Sequence, residues 1–237
     1  MPPNNPLSSL RENIGPLNIF LRDKALTQDK APAVILLQGF GTGPRCMRPV
    51  ADHLAQYGLS SATAPTGGLL GHLQTKAVRR AGRRLTRYLA KRPDGHRPWL
   101  IGHSIGGMIA RWAIQKGGAH PHVAGLITLG APHRGCPAAI AGIALGLGLI
   151  SPAPWSIIPG APLIRQLNAA PWPMHLPFIS ITSTGDRLCA PKWGRVDFAD
   201  DDLVRNIVVD GLGHTAMLRD PRLLDVLRKL IDERRAA

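Results

Sequence analysis

At 237 residues, 44% of them hydrophobic, the chain is long enough to bury a sizeable core and is composed like an ordinary globular protein. Its three cysteines, Cys46, Cys136 and Cys189, have the spacing of neither a zinc site nor a disulfide framework; the odd count suits a reducing compartment and leaves room for at most one disulfide. Twenty-nine Lys and Arg against 15 Asp and Glu give a net charge of +14, which raises nucleic acid, an anionic membrane surface or an acidic partner as candidates.

In chain order, the opening Met1-Pro-Pro-Asn-Asn-Pro6 lacks a basic region followed by an apolar core, so no signal peptide is expected; a cytoplasmic location is the expectation this gives, with membrane association left open. Residues 1–31 are polar and proline-rich, with a short helix or edge strand expected at Leu17 to Leu21 and no function assigned. Ala33 to Gln38 is a continuous apolar run and reads as a buried parallel strand; it breaks at Gly39-Phe40-Gly41-Thr42-Gly43-Pro44. An amphipathic helix over Met47 to Tyr57, a strand over Ser60 to Ala64 and a loop at Thr66-Gly67-Gly68 follow. The densest basic run lies within Lys76 to Arg92, where Val78, Ala81, Leu85 and Leu89 recur at helical spacing and leave the arginines on the opposite face. A solvated helix face is one reading of that run. Attraction to anionic lipid headgroups is the other, and would associate the protein with a membrane. No nucleic-acid motif accompanies the charge, so no nucleic-acid partner is expected.

Trp99 to Ile101 is a short apolar strand running into Gly102-His103-Ser104-Ile105-Gly106, and a helix follows to about Gln115. Strand, sharp turn and helix form the context in which Gly-x-Ser-x-Gly presents an exposed serine on a strained turn. The pentapeptide alone is equally a glycine-rich turn with an idle serine. Val123 to Leu129 is another buried strand. The alternation up to this point predicts an α/β fold with a mostly parallel, doubly wound sheet and a site at the C-terminal edge of its strands. Residues Gly135 to Ile164 carry no charge. Their apolar core is too short for a membrane span and is interrupted by prolines. They read either as a buried helix pair or as an apolar lid inserted at about 135–175. Pro177 to Ser183 and Asn206 to Val209 are the last strands, and Pro221 to Arg235 is the closing helix with Leu223, Val226, Leu227 and Leu230 on its apolar stripe. With no repeat and no linker, 1–237 reads as one domain carrying that insertion.

A serine at its free pKa needs a base within reach, and the base needs an orienting carboxylate. On a strand–Ser–helix scaffold the chain order is Ser, acid, His. No acidic residue lies between Gly95 and Gly185. Asp186, directly after a strand, is therefore the first acid available; Asp210, four residues before a histidine, is the runner-up, and Asp197 and Asp200–Asp202 read as solvated loop. Of nine histidines, His214 stands in a glycine-flanked loop between the last strand and the last helix, where the base belongs. His103 is expected to point away from the serine, His120 and His122 to be exposed, and His133 to line the pocket. Two backbone N–H donors are needed for a developing oxyanion, and those of Ile105 and Phe40 are placed for it.

Five stretches, Leu37-Gln-Gly-Phe-Gly-Thr-Gly43, Gly102-His-Ser-Ile-Gly-Gly107, Thr128-Leu-Gly-Ala-Pro-His-Arg-Gly135, Ser183-Thr-Gly-Asp186 and Gly211-Leu-Gly-His214, together with Pro159 to Asn168, resemble the α/β-hydrolase lipases and esterases. The likeness is greatest to the bacterial triacylglycerol-lipase group and its relatives related to inositol deacylases, over residues 33 to 232. The resemblance implies an α/β-hydrolase fold and acyl-ester hydrolysis with Ser104 as nucleophile, His214 as base and Asp186 as its orienter, acting on a small-molecule ester or lipid. It departs at Gln38, where the family usually has histidine, which alters how the oxyanion loop is braced. No calcium-ligand set, metal site or cofactor is expected. An acyltransferase or thioesterase on the same three residues is the alternative, and a non-catalytic binding protein of this fold the third reading, against which the intact Ser, Asp and His count.

Overall fold

The computed structural model describes residues 31–64, 77–92, 95–147, 153–198 and 203–235. The expectations for residues 17–21, 66–68 and Asp200–Asp202 lie outside them. Six strands, β1 (Val34–Leu37), β2 (Ser61–Thr63), β3 (Trp99–His103), β4 (Gly125–Leu129), β5 (Phe178–Ser183) and β6 (Val204–Val209), form one sheet in the order β2-β1-β3-β4-β5-β6. Every pairing is parallel. The order reverses between β1 and β3, and a crevice opens at such a switch point outside the strand C-termini. Leu37 pairs with Gly102, and His103 with Leu129, so the loops after β1, β3 and β4 meet at that edge.

Parallel strands covered on both faces need apolar side chains at every position, and β1, β3, β4 and β5 are buried throughout. Alternate residues enter two cores. Ile35, Leu37, Leu100, Leu126 and Phe178 face helices α2 (Ala77–Ala90) and α3 (Ile105–Gln115), whereas Val34, Leu36, Trp99, Ile101, Ile127, Leu129, Ile179 and Ile181 face α1 (Arg48–Gln56) and the C-terminal helix Pro221–Arg235. The edge strand β6 starts two residues before its expected boundary. Arg205 and Asn206 are exposed there, and a strand paired on one side only tolerates polar residues that break the apolar pattern.

Val78, Ala81, Leu85 and Leu89 of α2 are all buried, as their spacing requires. Arg80, Arg83, Arg84 and Arg87 lie on its exposed face. In the C-terminal helix Leu223, Leu227 and Leu230 are buried with Leu224 and Ile231, while Val226 sits at the margin. The uncharged tract after β4 divides in two. Its first part, α4 (Ala138–Gly142) running into a π-helical turn over Ile143–Leu147, leaves Ile140 54% and Leu145 85% exposed. Between them and β5 come the short α5 (Ala153–Ser156) and α6 (Pro162–Asn168), and α6 buries Leu163, Ile164 and Leu167. Among the described residues no helix is long and apolar enough to cross a membrane.

Sequence reasoning missed what holds α6. Arg111, on α3, is 1% exposed and donates Nη2–H to the Leu167 carbonyl at 2.9 Å and Nε–H to Gln115 Oε1 at 2.8 Å. Gln115 Nε2 lies within 3.2 Å of the carbonyls of Leu167, Ala170 and Pro171. Carbonyls at a helix C-terminus have no intrahelical donor, and these two side chains supply one. Burial lowers the Arg111 pKa to about 9.

Candidate active site

The turn from β3 to α3 is a single residue. His103 ends the strand, Ile105 begins the helix, and Ser104 between them has φ 53° and ψ −125°. A non-glycine residue in that region costs on the order of 1–3 kcal/mol, held in place by its surroundings. Here the Ser104 amide donates to the Leu129 carbonyl at 2.8 Å, and the Ser104 carbonyl accepts from the Gly107 amide at 3.0 Å. The helix can start this close to β1 because Gly106 has no side chain; a Cβ there would stand 2.4 Å from the Leu37 carbonyl oxygen and 2.6 Å from that of Gln38. Both obstacles are backbone, so Gly106→Ala is expected to destabilise the fold by about 3 kcal/mol or more. Thermal unfolding followed by circular dichroism should show a midpoint about 10 °C lower.

The carboxylate comes from the loop after β5. Asp186 is 1% exposed. Its Oδ1 accepts from the amides of Leu188 at 2.9 Å and Cys189 at 2.8 Å, and its Oδ2 accepts from His214 Nδ1 at 2.7 Å. Burial works against the charge, but the His214 hydrogen bond and the Cys189 and Leu188 amides outweigh it and hold the carboxyl below its ordinary range. An ionised carboxylate can only accept, so the His214 proton sits on Nδ1 and Nε2 carries the lone pair. The loops that carry Asp186 and His214 are tied together: Ser183 Oγ accepts from the Leu212 amide at 2.9 Å and Thr184 Oγ1 from the Gly211 amide at 3.0 Å. Gly130 closes the site from β4, since a Cβ there would lie 2.9 Å from Asp186 Oδ2 and 3.1 Å from His214 Nδ1.

Asp186 and His214 are thus brought into contact. Ser104 and His214 share no hydrogen bond among the described residues; what joins them is His103, the chain neighbour of Ser104. Its Nε2 donates to the His214 carbonyl at 3.0 Å, and its ring centroid is 4.7 Å from that of His214. Catalytic hydrogen bonds commonly close only when substrate is bound. For the oxyanion donors, Ile105 N opens α3, where helix amides lack intrahelical acceptors. Phe40 follows Gly39, whose hypothetical Cβ would be 3.3 Å from Ser104 Cβ, so that loop lies against the serine. Gln38 is buried with Oε1 unpartnered. The bracing comes instead from Thr42, whose Oγ1 donates to the Gly39 carbonyl at 3.0 Å and accepts from Cys46 Sγ at 3.3 Å.

The other candidates lie elsewhere. Asp210 is exposed and accepts from Thr184 Oγ1 at 3.2 Å; Asp197 pairs with Arg134 and Arg195. His120 is exposed and His122 half-buried. His133 does not line a pocket. It is fully buried, bonded to Thr128 Oγ1 at 2.9 Å and edge-on to Phe178, because the chain after β4 folds back over the core before it leaves. Burial first, then the Arg111 charge, keeps its pKa well below the usual histidine value. His103 carries no signal in the motif, whose second position is unspecified. Its contact with His214 becomes visible only when β3 and the last loop meet.

Residues 60–147 match the family described as "PGAP1-like alpha/beta domain". No curated protein sequence matches the chain. Among solved structures, the mature lipase BlEst2 of Bacillus licheniformis superposes with a TM-score of 0.68 at 17% identity, over 84% of this chain and 91% of that one. A monoacylglycerol lipase of Paleococcus ferrophilus gives 0.62 at 15% identity, over 86% and 95%. Est1E of Butyrivibrio proteoclasticus gives 0.60 at 17% identity, over 88% and 90%. The fold is that of the α/β hydrolases, and the first two of these structural neighbours are lipases.

Proposed function

We propose that the protein is a serine hydrolase of carboxylic esters, with Ser104, His214 and Asp186 as its catalytic triad. The observation that carries this reading is the 2.7 Å His214–Asp186 pair, touched by His103, the residue that precedes a serine held at positive φ. Ser104 Oγ attacks the ester carbonyl carbon and passes its proton to His214 Nε2. The carbonyl oxygen takes the negative charge and is met by the N–H groups of Ile105 and Phe40. Collapse expels the alcohol, which leaves with the proton from His214, and a water activated by the same histidine releases the acid. Asp186 keeps the proton on Nδ1 and offsets the charge of the imidazolium. The test is turnover of short- and long-chain p-nitrophenyl esters together with a fluorophosphonate adduct mapped to Ser104. Absence of both would overturn the reading, and acyl transfer to added alcohols or thiols in preference to water would make the protein a transferase on the same residues.

The substrate class we infer is lipid or another apolar ester. Leu188, 50% exposed, is two residues from Asp186, and its carbonyl accepts from Cys136 Sγ at 3.2 Å. The acid loop therefore adjoins the start of the uncharged tract, where Ile140, Leu145 and Trp155 are exposed. Exposed apolar side chains of this kind suit a ligand interface, and the BlEst2 and Paleococcus ferrophilus neighbours are lipases. In this reading the tract acts as a lid, and hydrolysis rises when substrate passes from solution to an oil–water interface.

An anionic surface is the partner proposed for the arginine face of α2. Among the described residues no carboxylate pairs with Arg79, Arg83, Arg84 or Arg87. Each basic side chain near such a surface contributes about 1 kcal/mol, screened by salt. Vesicles of phosphatidylglycerol and phosphatidylcholine should therefore retain the protein in a sedimentation assay at low salt. Pure phosphatidylcholine should not, and Arg83→Glu with Arg87→Glu should weaken retention by at least tenfold.

A further inference from the structure

The geometry points to His103 as a positioning residue that holds the base, His214, an inference that rests on the reading of His214 as the base. His103 is the residue next to Ser104, at the last position of β3. It is 2% exposed. The His214 carbonyl can only accept, so the 3.0 Å contact to His103 Nε2 puts the His103 proton on Nε2 and leaves Nδ1 bare. That Nδ1 has no hydrogen-bond partner. It faces the oxyanion loop, where a Cβ on Gly39 would come within 2.9 Å of it. One ring therefore touches the loop expected to bind the oxyanion, adjoins the nucleophile through the chain, and grips the base by its backbone.

The second contact is ring to ring. The His103 and His214 planes are tilted by 48° at a centroid separation of 4.7 Å. Besides this contact, the one hydrogen bond to the His214 ring among the described residues is that of Nδ1 to Asp186. A single hydrogen bond leaves an imidazole free to pivot about it; a bond to its own carbonyl and a ring against its face remove that freedom. Burial first, and then the neighbouring His214, lower the His103 pKa to about 4, against the opposing effects of the His214 carbonyl and of Asp186. His103 is thus neutral near pH 7, and no second cation stands beside the imidazolium formed during the reaction.

Glutamine and asparagine separate this role from mere filling of space. A glutamine amide nitrogen reaches about as far as the histidine Nε2 and can donate to the His214 carbonyl; an asparagine amide ends near Nδ1 and cannot. His103→Gln, His103→Asn and His103→Leu are compared in the full chain on p-nitrophenyl butyrate, with kcat and KM separated, melting temperatures recorded and fluorophosphonate labelling rates measured. Small displacements of a catalytic group cost up to about 10²-fold in rate. Asparagine and leucine should therefore lose on the order of 10²-fold in kcat with KM within a factor of about 3, and glutamine should recover most of the loss. Two results overturn the inference while leaving the hydrolase intact: all three variants turning over like the parent, or all three losing kcat in step with melting temperature without rescue by glutamine. A parent protein that neither hydrolyses the ester nor labels at Ser104 overturns the triad reading itself, and this inference with it.

Discussion

Ser104→Ala is expected to lower ester turnover by about 10⁶-fold, to abolish the fluorophosphonate adduct, and to leave the fold as stable as the parent or more so. The size follows from the proposed triad, whose members would act as a unit. Without the hydroxyl, the His214–Asp186 pair has no proton to take, and what survives is substrate binding plus any stabilisation by the Ile105 and Phe40 amides. Stability moves the other way because the hydroxyl contributes nothing to the fold: among the described residues it makes no hydrogen bond, and the contacts at residue 104 that hold the turn are backbone ones, to Leu129 and Gly107. Alanine meets the same strain at φ 53° and keeps both bonds. Turnover by Ser104→Ala within tenfold of the parent would locate the chemistry elsewhere in the molecule. An intact melting temperature with no activity separates a lost nucleophile from a lost fold, a distinction that Gly106→Ala, with its backbone collision, does not make.

The elements that could be read from sequence are those in which one physical demand acts along a short stretch. Central strands buried on both faces must be apolar throughout, so β1, β3, β4 and β5 stand out. The arginine helix declares its buried face through Val78, Ala81, Leu85 and Leu89. Asp186 could be reached because ninety residues of sequence before it contain no other acid. What stayed hidden depends on contacts between distant segments. His133 looks like a pocket residue by its place after a strand, yet the chain turns it into the core against Phe178. Arg111 resembles any helix arginine until the end of α6 is seen to need donors. The brace of the loop after β1 is Thr42, which no pattern singles out, and not Gln38. The uncharged tract defeats a single reading for the same reason: with no polar residues to show periodicity, nothing local reveals that Leu163, Ile164 and Leu167 enter the core while Ile140 and Leu145 face out.

Asp186→Asn should cost about 10⁴-fold in kcat, whereas Asp210→Asn should leave kcat within about threefold of the parent. The contrast rests on what surrounds each carboxylate. The position of Asp186 Oδ1 is filled by two amide donors, from Leu188 and Cys189. In the asparagine variant that position must remain an oxygen, since an NH₂ there would face two N–H groups in a buried site, at a cost of about 1–3 kcal/mol for each unmet donor. The NH₂ is then forced to the other side, against His214 Nδ1. It donates where the carboxylate accepted, so Nδ1 must become the acceptor and the imidazole proton moves to Nε2, the atom that has to receive the serine proton. The base is present, correctly placed and in the wrong tautomer. Asparagine is a sharper probe than alanine here because it keeps the volume and the two backbone bonds, so the melting temperature should hold while kcat falls. Asp210 is exposed, and its one described partner is the Thr184 hydroxyl, which an asparagine oxygen accepts equally well. Both variants are read by kcat on the same p-nitrophenyl ester. A large loss in Asp210→Asn with a small one in Asp186→Asn would reverse the assignment of the acid; comparable small losses in both would mean that His214 is not oriented by a carboxylate during the reaction.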